Sequence, residues 1–133
     1  MDFSKINRSN LITISIYIIG FSIGTISHSI DIVLMGFLGY TFAPFILNVF
    51  WTSLVFFDPL TILLLFLKFR PAIWLATITM ILDISINLIY GLYSSKYLIL
   101  LGLTTQIPFS IFVFITANRL YESYSIKDFL AKK

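Results

Sequence analysis

The chain contains no cysteine, only one histidine and few charged residues, and each shortage excludes a class of protein. Without cysteine there is no disulfide, no thiol chemistry and no cysteine-ligated metal. A usual zinc site needs about three or four nitrogen or sulfur ligands, so we expect no metal and no cofactor. Charged residues make up 11% of the 133 residues, whereas soluble domains carry about a quarter. The composition therefore predicts a membrane protein.

Sequence motifs for nucleotide and nucleic-acid chemistry are also missing. There is no glycine-rich phosphate loop, no nucleophile triad and no haem ligand pair, so ATP-driven work by this chain alone is not expected. The net charge of +3 does not indicate nucleic-acid binding. The basic residues lie between apolar runs, which is the pattern of a membrane topology signal.

Four apolar runs are each long enough to cross about 30 Å of hydrocarbon as a helix. They predict an all-α, integral membrane four-helix bundle, a single four-span domain with spans at 11–31, 44–67, 71–92 and 98–117. The first run exceeds a signal-peptide core and no Ala-x-Ala site follows it, so we expect it to be retained. The stretch 32–41 fits a helix extension, a hairpin turn or a re-entrant segment. The tail, 118–133, either continues the fourth helix or lies on the lipid surface.

The basic residues predict an orientation, because they concentrate on one side of the bundle. That side carries Lys5, Arg8, Lys68, Arg70, Arg119, Lys127, Lys132 and Lys133, and the other side carries only Lys96. By the positive-inside rule, both termini are cytoplasmic. We therefore expect a multi-pass protein of the plasma (inner) membrane, with the lipid bilayer as its first partner.

Two aspartates lie within apolar runs that contain no Lys or Arg to neutralise them: Asp58 in the second and Asp83 in the third. A carboxylate at the bilayer centre costs about 2.5–3.5 kcal/mol on insertion scales, so such residues usually have a function. At 1.5 Å per residue, they lie about 15 and 18 Å from the cytoplasmic boundary. Three arrangements would satisfy them: a shared proton, hydrogen bonds from neighbouring side chains, or a cation from outside.

Further polar groups share helical faces with these carboxylates or lie near their depth. They are Asn48, Trp51, Thr52, Asn87 and Gln106, with His28 and Asp31 near the outer end of the first run. Pro59 and Pro108 each remove a helical hydrogen bond beside this level. A small-xxx-small step from Gly20 to Gly24 favours close helix approach. We expect the polar stripes to face inward and line a mid-membrane pocket, shared by both aspartates, that opens outward.

Some of these positions resemble the emopamil-binding and sigma-2 receptor (EXPERA) group of four-to-five-span membrane proteins. The resemblance rests on Ser27-His28, Asp31, Trp51 with Asp58 seven residues later, and Asp83 with Asn87 four residues later. It implies a cavity for sterols or amphipathic amines and, as in some members, isomerisation of sterol double bonds by acidic residues. Leu54 and Val55 stand where the group carries a Lys-Glu pair, which counts against isomerase chemistry.

These observations favour a non-enzymatic protein that binds or transports a small amphipathic or lipophilic, cationic ligand. Asp58 and Asp83 would hold the cation, and Trp51 would contribute a cation–π contact. Transport by alternating access would require a homodimer, because four helices enclose little volume. Two alternatives remain: a membrane-embedded acid–base isomerase or cyclase of a lipid, with Asp58, Asp83 and His28 as catalytic groups, and an accessory subunit of a larger membrane complex.

Overall fold

The protein is all-helical, as the apolar runs predict. The structure is a computed structural model that describes residues 7–130, with the side chains of residues 7–123. Its helices are α1 (Arg8–Met35), α2 (Phe45–Leu67), α3 (Phe69–Ser94) and α4 (Tyr97–Leu130). Each contains a segment long and apolar enough to cross a membrane. The prediction of four membrane-length helices is therefore confirmed.

Helix α1 is longer at both ends than the predicted first span. Asn7 caps its N-terminus, where its side-chain oxygen accepts a hydrogen bond from the Ser9 N–H at 3.3 Å. At the C-terminus, Gly36 adopts a φ of 86°, a left-handed value that suits glycine, and its N–H donates to Ile32 O. Of the three alternatives for 32–41, helix extension therefore applies through Met35. A non-helical connector at 36–44 follows.

The predicted tail continues the fourth helix. Helix α4 runs without interruption through Leu130, and residues 131–133 lie outside the described part of the chain. Some basic residues on which the predicted orientation depends also lie outside the part of the chain that the structure describes. They are Lys5, Lys132, Lys133 and the side chain of Lys127. Pro59 and Pro108 lie inside α2 and α4, and both helices continue past them.

The chain divides into two compact units, Met1–Leu67 and Lys68–Lys133. In the first unit, α1 packs against α2. In the second, α3 packs against α4, with only two residues between the helices. Such a short connection makes them antiparallel neighbours. The expected single four-span domain stays a prediction.

Many large apolar side chains on the helices are exposed rather than buried. On α1 they include Ile19, Ile23 and Ile26, each more than half exposed, whereas Tyr17 and Phe21 of the same helix are buried. An apolar surface of this extent is unfavourable in water and suits contact with lipid chains. The exposed faces and the helix lengths together indicate a multi-pass membrane protein.

Candidate functional site

The carboxylate of Asp58 lies against the backbone of α1. Asp58 is buried, with 5% of its surface exposed. A Cβ atom built on Gly24 would collide with Oδ2 of Asp58 and stand 3.2 Å from its Cγ. The missing side chain at position 24 therefore leaves the space that the Asp58 carboxylate occupies. The small-xxx-small step predicts a close approach of another helix to α1. At its Gly24 end α2 does approach closely, and the Asp58 side chain occupies the space beside the glycine.

Tyr40, in the connector between α1 and α2, binds the predicted histidine–aspartate pair. Its hydroxyl donates a hydrogen bond to Asp31 Oδ2 at 2.8 Å, and His28 Nδ1 lies 3.4 Å from the same hydroxyl oxygen. A phenol has one proton, which here points to Asp31, so His28 can join only by donating from Nδ1. The three side chains thus form a His28–Tyr40–Asp31 chain.

Asn48 in the first turn of α2 fastens the connector to the helix. Its Oδ1 accepts a hydrogen bond from the Tyr40 N–H at 3.1 Å, and its Nδ2 donates to Leu38 O at 2.7 Å. Leu38 has a φ of 56°, a left-handed backbone that few leucines adopt. Thr52 Oγ1 also donates to Asn48 Oδ1, at 3.5 Å. One amide therefore holds both the connector backbone and the next turn of the helix.

Trp51 packs against aromatic rings of the connector. Its ring centroid lies 5.4 Å from that of Tyr40 and 5.9 Å from that of Phe42. Asp58 follows seven residues later on the same helical face, about 10 Å further along the axis. The face of α2 towards α1 therefore combines an aromatic cluster near the connector with a carboxylate near the middle of the helix.

The second unit has its own polar cluster, which joins α3 to α4. Asn87 Nδ2 donates to Asp83 Oδ1 at 2.9 Å and to Gln106 Oε1 at 3.0 Å. An amide nitrogen carries two hydrogens, so both contacts can form at once. Asp83 and Asn87 are each 7% exposed. Periodicity and depth predict these three groups near one level, together with Asp58 and Thr52, and the structure brings Asp83, Asn87 and Gln106 into contact.

The predicted site residues thus divide between the two units. The first unit holds His28, Asp31, Asn48, Trp51, Thr52 and Asp58, and the second holds Asp83, Asn87 and Gln106. Their roles in ligand binding, and the chamber predicted to be shared by both aspartates, stay predictions. Within residues 7–123, no group of three His, Asp or Glu side chains could hold a metal ion.

Tyr40 and Phe42 are not indicated by the sequence pattern. Both lie in the non-helical connector, where neither the helical nor the strand period assigns a side chain to a face. The available signal was chemical: a phenol and a second aromatic ring follow Gly39, in a stretch between a histidine–aspartate pair and Asn48. A hydroxyl in such an apolar stretch needs a polar partner.

Taken together, the fold and these clusters define a class: a multi-pass helical membrane protein with a buried carboxylate in each of its two helical hairpins. No protein-family model, curated protein or solved structure matches the chain. The resemblance to the emopamil-binding and sigma-2 receptor group stays a prediction.

Proposed function

We propose that this chain binds or transports a small amphipathic, cationic ligand in the plasma membrane, with both termini in the cytoplasm. The observation that carries the proposal is the buried carboxylate of Asp58, seated at Gly24 within an apolar helical hairpin. Helix α2 contains no Lys or Arg. An ammonium group from a ligand would offset the cost of the buried negative charge.

The aromatic cluster of Trp51, Tyr40 and Phe42 supports an amphipathic rather than a purely polar ligand. Ring faces bind the apolar body of a ligand by area burial and attract a cation through the ring quadrupole. The cluster lies about two helical turns from Asp58 on α2. A ligand with an amine at one end and an apolar body of that length would reach both features. The resemblance described above implies the same ligand class.

Transport adds a second requirement. A carrier must bind its cargo and also release it on the opposite side, so protonation of a carboxylate would have to compete with the cation. Four helices enclose little volume, and alternating access would then involve a homodimer. A purified protein that binds the ligand as a monomer and does not move it across vesicles would be a binding protein instead.

The Asp58→Asn variant tests the proposal, with tetraphenylphosphonium, a lipophilic cation, as the probe. We expect saturable binding to the purified wild-type protein and affinity weakened at least about tenfold in the variant, equivalent to about 1.4 kcal/mol. The variant keeps the shape of the side chain and removes its charge. The matched control is Glu122→Gln, which removes an exposed carboxylate near the end of α4 and should leave affinity unchanged.

Two results would contradict the proposal. The first is wild-type protein that shows no saturable binding, and the second is an Asp58→Asn variant that binds as tightly as wild type. Co-purification of a stoichiometric membrane protein, with no small molecule retained, would favour the accessory-subunit alternative.

A second candidate function rests on the His28–Tyr40–Asp31 chain. A histidine hydrogen-bonded through a phenol to a carboxylate is an arrangement that can hold and pass a proton, as acid–base catalysis requires. The reaction would be isomerisation or cyclisation of a lipid. Incubation of purified protein with sterol or polyprenyl lipids tests it. Product that forms with wild type and is lost in His28→Gln would support the enzyme.

A further inference from the structure

Arg70, in the first turn of α3, lies in an aromatic setting formed with α4. Its guanidinium carbon is 5.2 Å from the centroid of the Tyr121 ring. The ring of Trp74, one turn further along α3, meets the same tyrosine edge-on with centroids 6.4 Å apart. We call these three residues the Arg70 cluster. Cation–π contact fixes the guanidinium in place and leaves its hydrogen-bond donors for another partner.

The guanidinium of Arg70 has one donor, Nε, without a hydrogen-bond partner among residues 7–123. Its Nε is buried, and within residues 7–123 it is the one buried side-chain nitrogen or oxygen with no hydrogen-bond partner. The acidic residue beside Tyr121 is Glu122, and it accepts a hydrogen bond from Asn118 Nδ2 at 3.1 Å instead. A buried donor without a partner is unfavourable. Arg70 as a whole residue is only partly buried, so an anion can approach its guanidinium from outside and stabilise the arrangement.

Three further features indicate which anion. The N-terminal end of α3 carries a partial positive charge, and exposed Lys68 precedes its first residue. Trp and Tyr together are typical of the boundary between hydrocarbon and headgroups. An exposed apolar face also continues along α3 from Trp74, which is 60% exposed, through Ile78 and Ile81. A molecule with a phosphate at one end and acyl chains at the other fits both the positively charged helix end and the apolar face.

We propose that the Arg70 cluster binds the phosphate of an anionic phospholipid, with the acyl chains along the Trp74 face of α3. The planar guanidinium fork matches phosphate oxygens in a way that an ammonium group does not. The ligand is a lipid and not free phosphate, because the apolar face adjoins the cluster directly.

Native mass spectrometry of the delipidated, full-length protein titrated with phosphatidylglycerol tests this site. We expect Arg70→Gln to weaken the first binding step at least about fivefold, the effect of roughly one basic residue near a lipid surface. Arg70→Lys, which keeps the charge, and Tyr121→Leu, which removes the stacking ring, should both weaken it. Lys68→Gln is the matched control at the same helix end and should have a smaller effect. Circular dichroism of each variant checks that helicity is retained.

Several results would overturn the proposal. Equal weakening in Arg70→Gln and Lys68→Gln would indicate a diffuse basic surface and no built site. Full affinity in Arg70→Lys would show that charge alone suffices. Phosphatidylcholine that binds as tightly as phosphatidylglycerol would exclude selection for an anionic lipid. Millimolar inorganic phosphate that displaces the lipid completely would assign the site to a soluble anion.

Discussion

Among single residues, the lack of a side chain at one position matters as much as the side chain that packs against it. Gly24 contributes no atoms beyond its backbone, and the space it leaves is filled by the carboxylate of Asp58. A buried carboxylate is costly in an apolar helix, so its exact position decides which groups can stabilise it. The glycine is therefore a positioning residue for the acidic group that carries the proposed function.

The substitution Gly24→Ala tests this role. The added methyl group would overlap Asp58, so we expect a loss of stability of about 1–3 kcal/mol, as for overpacked cores, together with weaker cation binding. Thermal unfolding in detergent measures the first effect. Gly102→Ala is the matched control, because no atom lies within 4 Å of a Cβ built there. It should be neutral or slightly stabilising, since alanine favours a helix over glycine. Equal melting temperatures for both variants would contradict the assignment.

The role of Tyr40 depends on its hydroxyl group. We expect Tyr40→Phe to lower stability by about 1–3 kcal/mol, because Asp31 loses its hydroxyl donor and His28 loses its neighbour. Hydrogen exchange at residues 38–41 should also become faster, since the connector is held in part through this side chain. Tyr93→Phe removes a hydroxyl from a tyrosine that is almost fully exposed and should change neither measurement. Unchanged exchange in Tyr40→Phe would show that Asn48 alone holds the connector.

At the scale of elements, the α3–α4 hairpin combines a tight turn with a polar contact near mid-helix. Ser95 adopts a left-handed φ of 53° and, with Lys96, completes the connection. Gly91 lies so close to α4 that an added Cβ would stand 2.7 Å from Leu100 Cδ2. The close approach near the turn and the Asn87–Gln106 hydrogen bond together fix how the two helices align.

Replacing Asn87 by alanine should loosen this hairpin. Hydrogen bonds between membrane helices contribute about 0.6 kcal/mol on average and at most about 1.7, and this variant also leaves Asp83 without its amide donor. We therefore expect a loss of about 1–2 kcal/mol, measured by unfolding in mixed micelles. Asn118→Ala, at an exposed position where the amide donates to Glu122, should cost less than about 0.5 kcal/mol. A loss no larger in Asn87→Ala than in this control would contradict a stabilising role.

At the scale of the whole molecule, the proposed orientation follows from charge and not from packing. The absence of cysteine makes it directly measurable, because any introduced cysteine is the only thiol in the chain. Lys68 and Lys96 are both exposed and lie at opposite ends of α3, so they report the two sides of the membrane.

We expect a membrane-impermeant maleimide to label Lys96→Cys in intact cells. Lys68→Cys should be labelled only after the membrane is permeabilised, because the positive-inside rule places its side in the cytoplasm. The reverse pattern would invert the proposed topology, and the predicted cytoplasmic termini would then be wrong. Labelling of both positions in denatured protein controls for reactivity.

The four apolar helices are predictable from the amino-acid sequence, because hydropathy and length are local properties and each run is long enough to cross the hydrocarbon. The sequence also singled out Asp58 and Asp83, since acidic residues in such runs are rare whatever the tertiary structure. Helical period and depth placed Asp83, Asn87 and Gln106 near one level, together with Asp58 and Thr52. Helix ends were less accurate, because the turns at Gly36 and Leu38 depend on local backbone geometry that hydropathy does not report.

The polar contacts of the α1–α2 hairpin, in contrast, depend on how its helices and connector pack. The contact between Asp58 and Gly24 depends on the register of α2 against α1. A shift of Asp58 by one residue along α2 would rotate its carboxylate to another face of the helix. The contacts of Tyr40 depend on an irregular connector that folds back over eight to twelve residues to Asn48, Asp31 and His28. Such contacts join residues that no periodic pattern relates, and their formation depends on how the two helices and the connector pack together.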